Sequence, residues 1–284
     1  MDPLQVKEQQ RRDWDAVAAG WKRWWATLEQ GAQRVSHRLL ELAAVQPGHR
    51  VLDVATGIGE PAITAARRVG PEGRVIATDQ APQMLAVARE RAAAMDLRNI
   101  AFREMDGERL ELPENHFHAV LCRWGLMFFP RYAAALERMR QLLVPGGRLA
   151  AAVWADPPKV PLIGLAMGVV REVLRVPPPP AEAPGPFRLA DAEALARTFL
   201  GAGFTEVRVE RLTVTFEFPS AEAYARFQQD VAAPIAALLS QHPPERRAAV
   251  WQAVARAAHQ RFAAADGRLR MPNETLCVVG RRAP

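Results

Sequence analysis

The chain has 284 residues, 49% of them apolar, and a formal net charge of +6 carried almost entirely by arginine. That length and composition allow one large globular domain, or one domain with a smaller cap. No run approaches the roughly 18 apolar residues of a membrane span, and the start, MDPLQVKEQQRRDW, lacks the apolar core of a signal peptide. The arginines are interleaved with Glu and Asp rather than gathered in a patch, which argues against a nucleic-acid partner. Cys122 and Cys277 fall in predicted strands without metal-ligand spacing, and no His/Cys/Asp/Glu cluster suits a metal. Both read as buried free thiols in a reducing cytoplasm.

Residues 4–28 read as a helix, with Trp14, Trp21 and Trp25 expected near one face at spacings of seven and four. That face is expected to pack on the domain for most of these tryptophans; the alternative reading is that one or two of them roof a ligand pocket. A second helix, 32–44, leads through Gln46-Pro47-Gly48 to the stretch that organises the chain, RVLDVATGIGEPA at 50–62. Val51, Leu52 and Val54 form a short apolar strand. Gly57 and Gly59 then mark a tight turn that needs φ > 0 or close approach. Pro61 stands at the first turn of the next helix, where its missing N–H costs nothing. Backbone N–H groups leave such a turn with a helix dipole behind them, and Asp53 adds a carboxylate. The combination suits a ligand with an anionic and a cationic group. The same loop also fits the dinucleotide fingerprint, Gly57-x-Gly59-x-x-Ala62 with Asp79 downstream, so NAD stays open at this point.

The pattern continues by alternation. Residues 74–79 form a second strand ending in Asp79, an acid placed to accept both hydroxyls of a ribose. Ala81-Pro82 opens a helix. A third strand spans 100–106, and a fourth runs from 118 into a loop where Arg123, Trp124 and Gly125 should face the pocket. Arg123 can hold a carboxylate of the ligand, or pair with Asp53 or Asp106. His118 lies at the opposite end of its strand, away from any site, and His116 beside it is solvated. A helix at 132–143, the turn Val144-Pro145-Gly146-Gly147 and a strand at 148–154 complete a parallel, right-handed α/β core. After it come a proline-rich segment around an apolar helix (157–186), a helix at 190–200, a strand at 204–218, helical sequence at 220–265 broken at Pro234 and Pro243-Pro244, and a closing strand at 274–282.

Asp53-x-Ala55-x-Gly57-x-Gly59 resembles motif I of the class I S-adenosylmethionine (SAM)-dependent methyltransferases, whose ligand carries a zwitterion. Leu143-Val144-Pro145-Gly146-Gly147 resembles the "L-x-P-G-G" turn before their fifth strand, and Asp79 and Asp106 follow in the family's order. The "L-P" loop and Gly125-Leu126-Met127-Phe128-Phe129-Pro130 look most like the ubiquinone/menaquinone-biosynthesis type. The resemblance covers about 45–155 with specific motifs. It implies a Rossmann-like α/β fold, a seven-stranded mostly parallel sheet with helices on both faces and a helical cap. It also implies a SAM donor leaving S-adenosylhomocysteine and a small, apolar or aromatic acceptor methylated at O, C or N. The expected organisation is a single domain over 1–284: N-terminal helices 1–45, a SAM-binding core 46–155, a lid insertion 156–189, further core at 190–218 and 270–284, and a cap insertion 219–269. The resemblance places Asp53, Ala55, Thr56, Gly57 and Gly59 at the cofactor, with Asp79, Gln80, Met84, Met105, Asp106, Gly107, Arg123 and Trp21. No motif fixes a catalytic base; His259 and Tyr224 in the cap are the candidates. A cytoplasmic monomer or homodimer is expected, with an NAD(P)-dependent oxidoreductase or an RNA or protein methyltransferase as the alternatives.

Overall fold

A computed structural model describes residues 3–180 and 182–284; Met1, Asp2 and Ala181, the last within the expected lid, lie outside the described residues. Seven strands form one sheet: β1 (Arg50–Val54), β2 (Arg74–Asp79), β3 (Ile100–Glu104), β4 (Phe117–Arg123), β5 (Leu143–Trp154), β6 (Thr205–Phe218) and β7 (Leu269–Arg281). Their order is β3-β2-β1-β4-β5-β7-β6. The first five run parallel, and β7 is antiparallel to both its neighbours. Val51, Leu52 and Val54 are fully buried, as a parallel strand covered on both faces requires. The order reverses between β1 and β4, and the crevice at such a switch point, beyond the strands' carboxyl ends, is where open α/β sheets take ligands.

The helices are α1 (Pro3–Arg23), α2 (Trp25–Leu42), α3 (Ala62–Val69), α4 (Pro82–Ala94), α5 (Tyr132–Leu142), α6 (Pro161–Leu174), α7 (Ala192–Gly201), α8 (Ala221–Val231), α9 (Ala233–Leu239) and α10 (Pro244–Phe262). Helix α4 packs on β2 and β3, α5 on β5, α7 on β6 and β7, and α2 crosses β4 to β7. Helix α10 packs on both α6 and α8, and α1 lies against α4, α8 and α9.

Three elements differ from the sequence reading. The first helix breaks at Trp24, so α1 and α2 do not share one helical face. Trp24 turns inward, with Nε1 donating to Asp230 Oδ2 at 2.7 Å and its ring edge-on to Phe227. Trp25, expected inward, is 41% exposed beneath the Arg91 guanidinium. Strand β5 starts at Leu143 because the Val144–Gly147 turn is a bulge on the strand, where the pairing with β4 shifts register and Gly146 takes φ +80°. Strand β7 starts at Leu269. That is ahead of the expected 274, and Pro272 is accommodated because it lies beyond the end of β5, where β7 pairs with β6 alone.

Candidate active site

The motif loop is held by its own backbone and by two acids. Gly57 and Gly59 adopt φ +56° and +103°, and a Cβ on Gly59 would stand 2.9 Å from Ile63 Cδ1. The Thr56 N–H donates to the Thr78 carbonyl at 2.9 Å, tying the loop to β2. Asp79 receives the Gly57 N–H on Oδ2 at 2.8 Å and the Ala81 N–H on Oδ1 at 2.9 Å. Burial pushes its carboxyl up to about 6. One carboxylate thus joins the glycine turn to the start of α4 and keeps further lone pairs for a ligand diol.

Asp53 does a different job from the one expected. It is fully buried beneath the loop and does not line the cavity. Its Oδ2 accepts the Ala62 N–H at 3.0 Å, while Oδ1 has no hydrogen-bond partner among the described residues. Burial pushes the group up to about 7. It acts as an internal fastener between β1 and the start of α3.

A cleft opens over the loop. Ala55, Thr56, Gly57, Asp79, Gln80 and Met84 line it, together with Met105, Gly107, Arg123 and Trp21. Gly59 stays behind the turn, and Asp106 faces the outer surface. Asp106 Oδ2 accepts from Lys7 Nζ at 2.7 Å and its Oδ1 from the Glu108 N–H at 2.9 Å. Arg123 pairs with neither Asp53 nor Asp106: Nη1 donates to Ser36 Oγ at 2.8 Å and Nη2 to Glu29 Oε1 at 3.3 Å, both on α2. Trp21 donates from Nε1 to the Val231 carbonyl at 3.1 Å and meets Trp14 edge-on. Trp124 and Gly125 are in the wall as expected. The sequence reading missed Glu60, next to Gly59, and Gln10 and Phe128, which α1 and the loop after β4 bring over the cleft. Glu60's position inside the motif loop was the signal available for it.

A second cavity adjoins the first, with Trp14, Trp21, Trp124 and Phe128 common to both. Its further walls are apolar: Leu28, Phe216 and Phe227, with Trp154 on β5 and Ile163 and Met167 on α6. Gln228 is its polar side chain, and its amide donates to the Leu162 carbonyl. Trp124 sits at the junction in the left-handed region, φ +58°. It stacks on Trp154 at 4.1 Å, and its Nε1 donates to Thr275 Oγ1 at 3.1 Å. Thr275 Oγ1 donates onward to the Val153 carbonyl at 2.8 Å. The indole therefore has one orientation.

Neither base candidate reaches these cavities. Tyr224 is fully buried, its hydroxyl donates to the Leu162 carbonyl at 2.9 Å, and burial raises its pKa further. His259 is exposed in the last turn of α10 and lines neither cavity. His118 stacks on His49 at 4.5 Å at the amino end of the sheet, with Nδ1 accepting the Arg50 N–H, as its strand position implied. Among the described residues no group of His, Cys, Asp and Glu could hold a metal ion, and no helix is long and apolar enough to cross a membrane.

Residues 51–147 match the family model described as a methyltransferase domain. That stretch runs from β1 through the Gly146 bulge, so the match falls on the part of the sheet that carries the motif loop. The chain is 40% identical over 124 residues to the ubiquinone/menaquinone biosynthesis C-methyltransferase of Pseudomonas putida, covering 43% of this chain and 48% of that protein. It thus spans about half the length of the curated relatives it matches. A Haloferax volcanii methyltransferase solved with its Trm112 activator superposes with a TM-score of 0.59 at 19% identity, over 96% of this chain and 97% of that one. The [4+2]-cyclase SpnF superposes at 0.55 and 21% identity, over 90% and 83%.

Proposed function

We propose that the chain is a SAM-dependent methyltransferase acting on a small apolar or aromatic acceptor. The observation that carries this reading is the pair of joined cavities. One is walled by the motif loop, Asp79 and Arg123, and the other by apolar and aromatic side chains, and they meet at Trp124 and Phe128. In the reading, Asp79 takes the ribose hydroxyls and the loop N–H groups take the methionine end of SAM. Met84 and Met105 flank the adenine. The sulfonium then lies at the junction with its methyl directed into the apolar cavity.

A sulfonium methyl is already activated for in-line displacement. The protein's task is to align the acceptor atom and exclude water, which an aromatic junction with fixed rings does. The cap, with the 156–189 insertion as its lid, closes over the acceptor: α6 supplies Leu162, Ile163 and Met167 to the apolar wall. Apolar walls favour a small molecule over nucleic acid or protein, and the buried free thiols suit a reducing cytoplasm. The test is a screen of quinols, phenols and amines with SAM labelled in the methyl group. Label transferred to one of these classes supports the reading. SAM bound with label transferred to none would place the chain with proteins that use this fold for other chemistry, as the [4+2]-cyclase does.

A further inference from the structure

Glu60 stands in the wall of the donor cavity beside Thr56 and Arg123, with its side chain only 4% exposed. Its two oxygens are in different situations. Oε2 accepts from Thr64 Oγ1 at 2.7 Å, and Thr64 Oγ1 itself accepts from Gln33 Nε2 at 2.8 Å. The back of the carboxylate is therefore clamped to α3 and α2. Oε1 makes no hydrogen bond among the described residues. Its nearest cation is Arg91, with Nη2 at 4.0 Å, and Arg91 Nη1 is engaged by the Ile58 carbonyl at 2.6 Å. A carboxylate oxygen in a cavity wall, with its partner oxygen already clamped and no protein donor of its own, is free to accept a donor from the ligand.

The carboxyls of Glu29, Asp53 and Glu60 share this region with the guanidinium groups of Arg91 and Arg123. Asp53, the acid the sequence places beside the ligand, is sealed under the loop, whereas Glu60 reaches the wall.

We propose that Glu60 Oε1 holds the α-ammonium group of the donor's methionine end and so selects donors that carry it. The proposal rests on the SAM reading of the site. An ammonium brings three N–H donors and a positive charge, and a charge-assisted hydrogen bond to a desolvated carboxylate is among the stronger kinds. Because Oε2 is clamped by Thr64, the carboxylate is already oriented before the ligand arrives, so little side-chain entropy is lost on binding.

The test is calorimetry on the full chain with S-adenosylhomocysteine and its des-amino analogue, in which hydrogen replaces the amino group. The wild type is expected to prefer the amino-bearing ligand by about tenfold or more. Glu60→Gln keeps the volume and an acceptor for Thr64. In it the preference should shrink to within about threefold, with des-amino affinity held within about twofold. If that variant does not fold, Glu60→Asp, which withdraws the carboxylate by one methylene, should show the same loss. A preference of equal size in wild type and variant overturns the role of Glu60. A wild type that binds neither ligand overturns the SAM reading itself, and that outcome is distinct from the first.

Discussion

The two cavities that meet at Trp124 are built on different principles. The donor side is made of strand ends and a loop. Its polar contacts come from backbone N–H groups and from carboxylates fixed by those same groups, as Asp79 is by Gly57 and Ala81. The acceptor side is made of side chains from α1, α6, α8 and α9 and from the far strands, and shape rather than hydrogen bonding defines it. Backbone geometry tolerates few substitutions, whereas an apolar wall can be rebuilt with many residues of similar volume. The donor half should therefore be sensitive to single changes, and the acceptor half should retune without disturbing donor binding.

Asp79→Ala should break the donor side most severely. It removes the acceptor of two loop N–H groups together with the ribose contact, and SAM affinity should fall by more than about tenfold. Unchanged affinity by calorimetry would show that the acid does not hold the ribose. On the acceptor side, Ile163→Trp should fill the apolar cavity. It should lower kcat/KM for the first acceptor found by about tenfold while leaving SAM affinity within about twofold; equal losses on both sides would deny that the halves are separable. Gly59→Ala puts a Cβ on a left-handed backbone and against Ile63, which should cost roughly 1–3 kcal/mol in unfolding experiments.

A smaller effect separates Asp53 from the ligand-facing acids. Folded, its carboxyl is raised to about 7, above the ordinary value near 4. Between those values the folded chain holds a proton that the unfolded chain has released. Stability therefore falls as pH rises through this window, and the loss is complete above about 7. In Asp53→Asn this contribution vanishes, so the melting temperature of the unliganded protein should drop less between pH 5 and 8 than in the wild type. Parallel pH curves would contradict the assignment. Smallest of all, His259→Ala should leave turnover within about twofold, as an exposed change away from both cavities does.

The same contrast explains what could be read from the sequence. The core was legible because strand, glycine turn and helix follow one another within a few residues, so Gly57, Asp79 and the Gly146 bulge carry local signatures. Ten of the expected donor residues do line the cleft. Asp53 and Asp106 were misplaced because a motif gives the position of a residue along a strand but not the direction of its carboxylate. Lys7, ninety-nine residues away, takes up Asp106. The tryptophan face was misjudged because a single break at Trp24 resets the helical phase. The acceptor cavity left no local pattern: Trp14, Trp154, Met167 and Phe227 come together only through tertiary packing.

The most direct test of the account is calorimetry of the wild-type chain against SAM and NADH. The geometry of the motif loop, Asp79 and the aromatic junction predicts one SAM bound per chain at micromolar affinity and no binding of NADH. Micromolar NADH binding without SAM binding would contradict it.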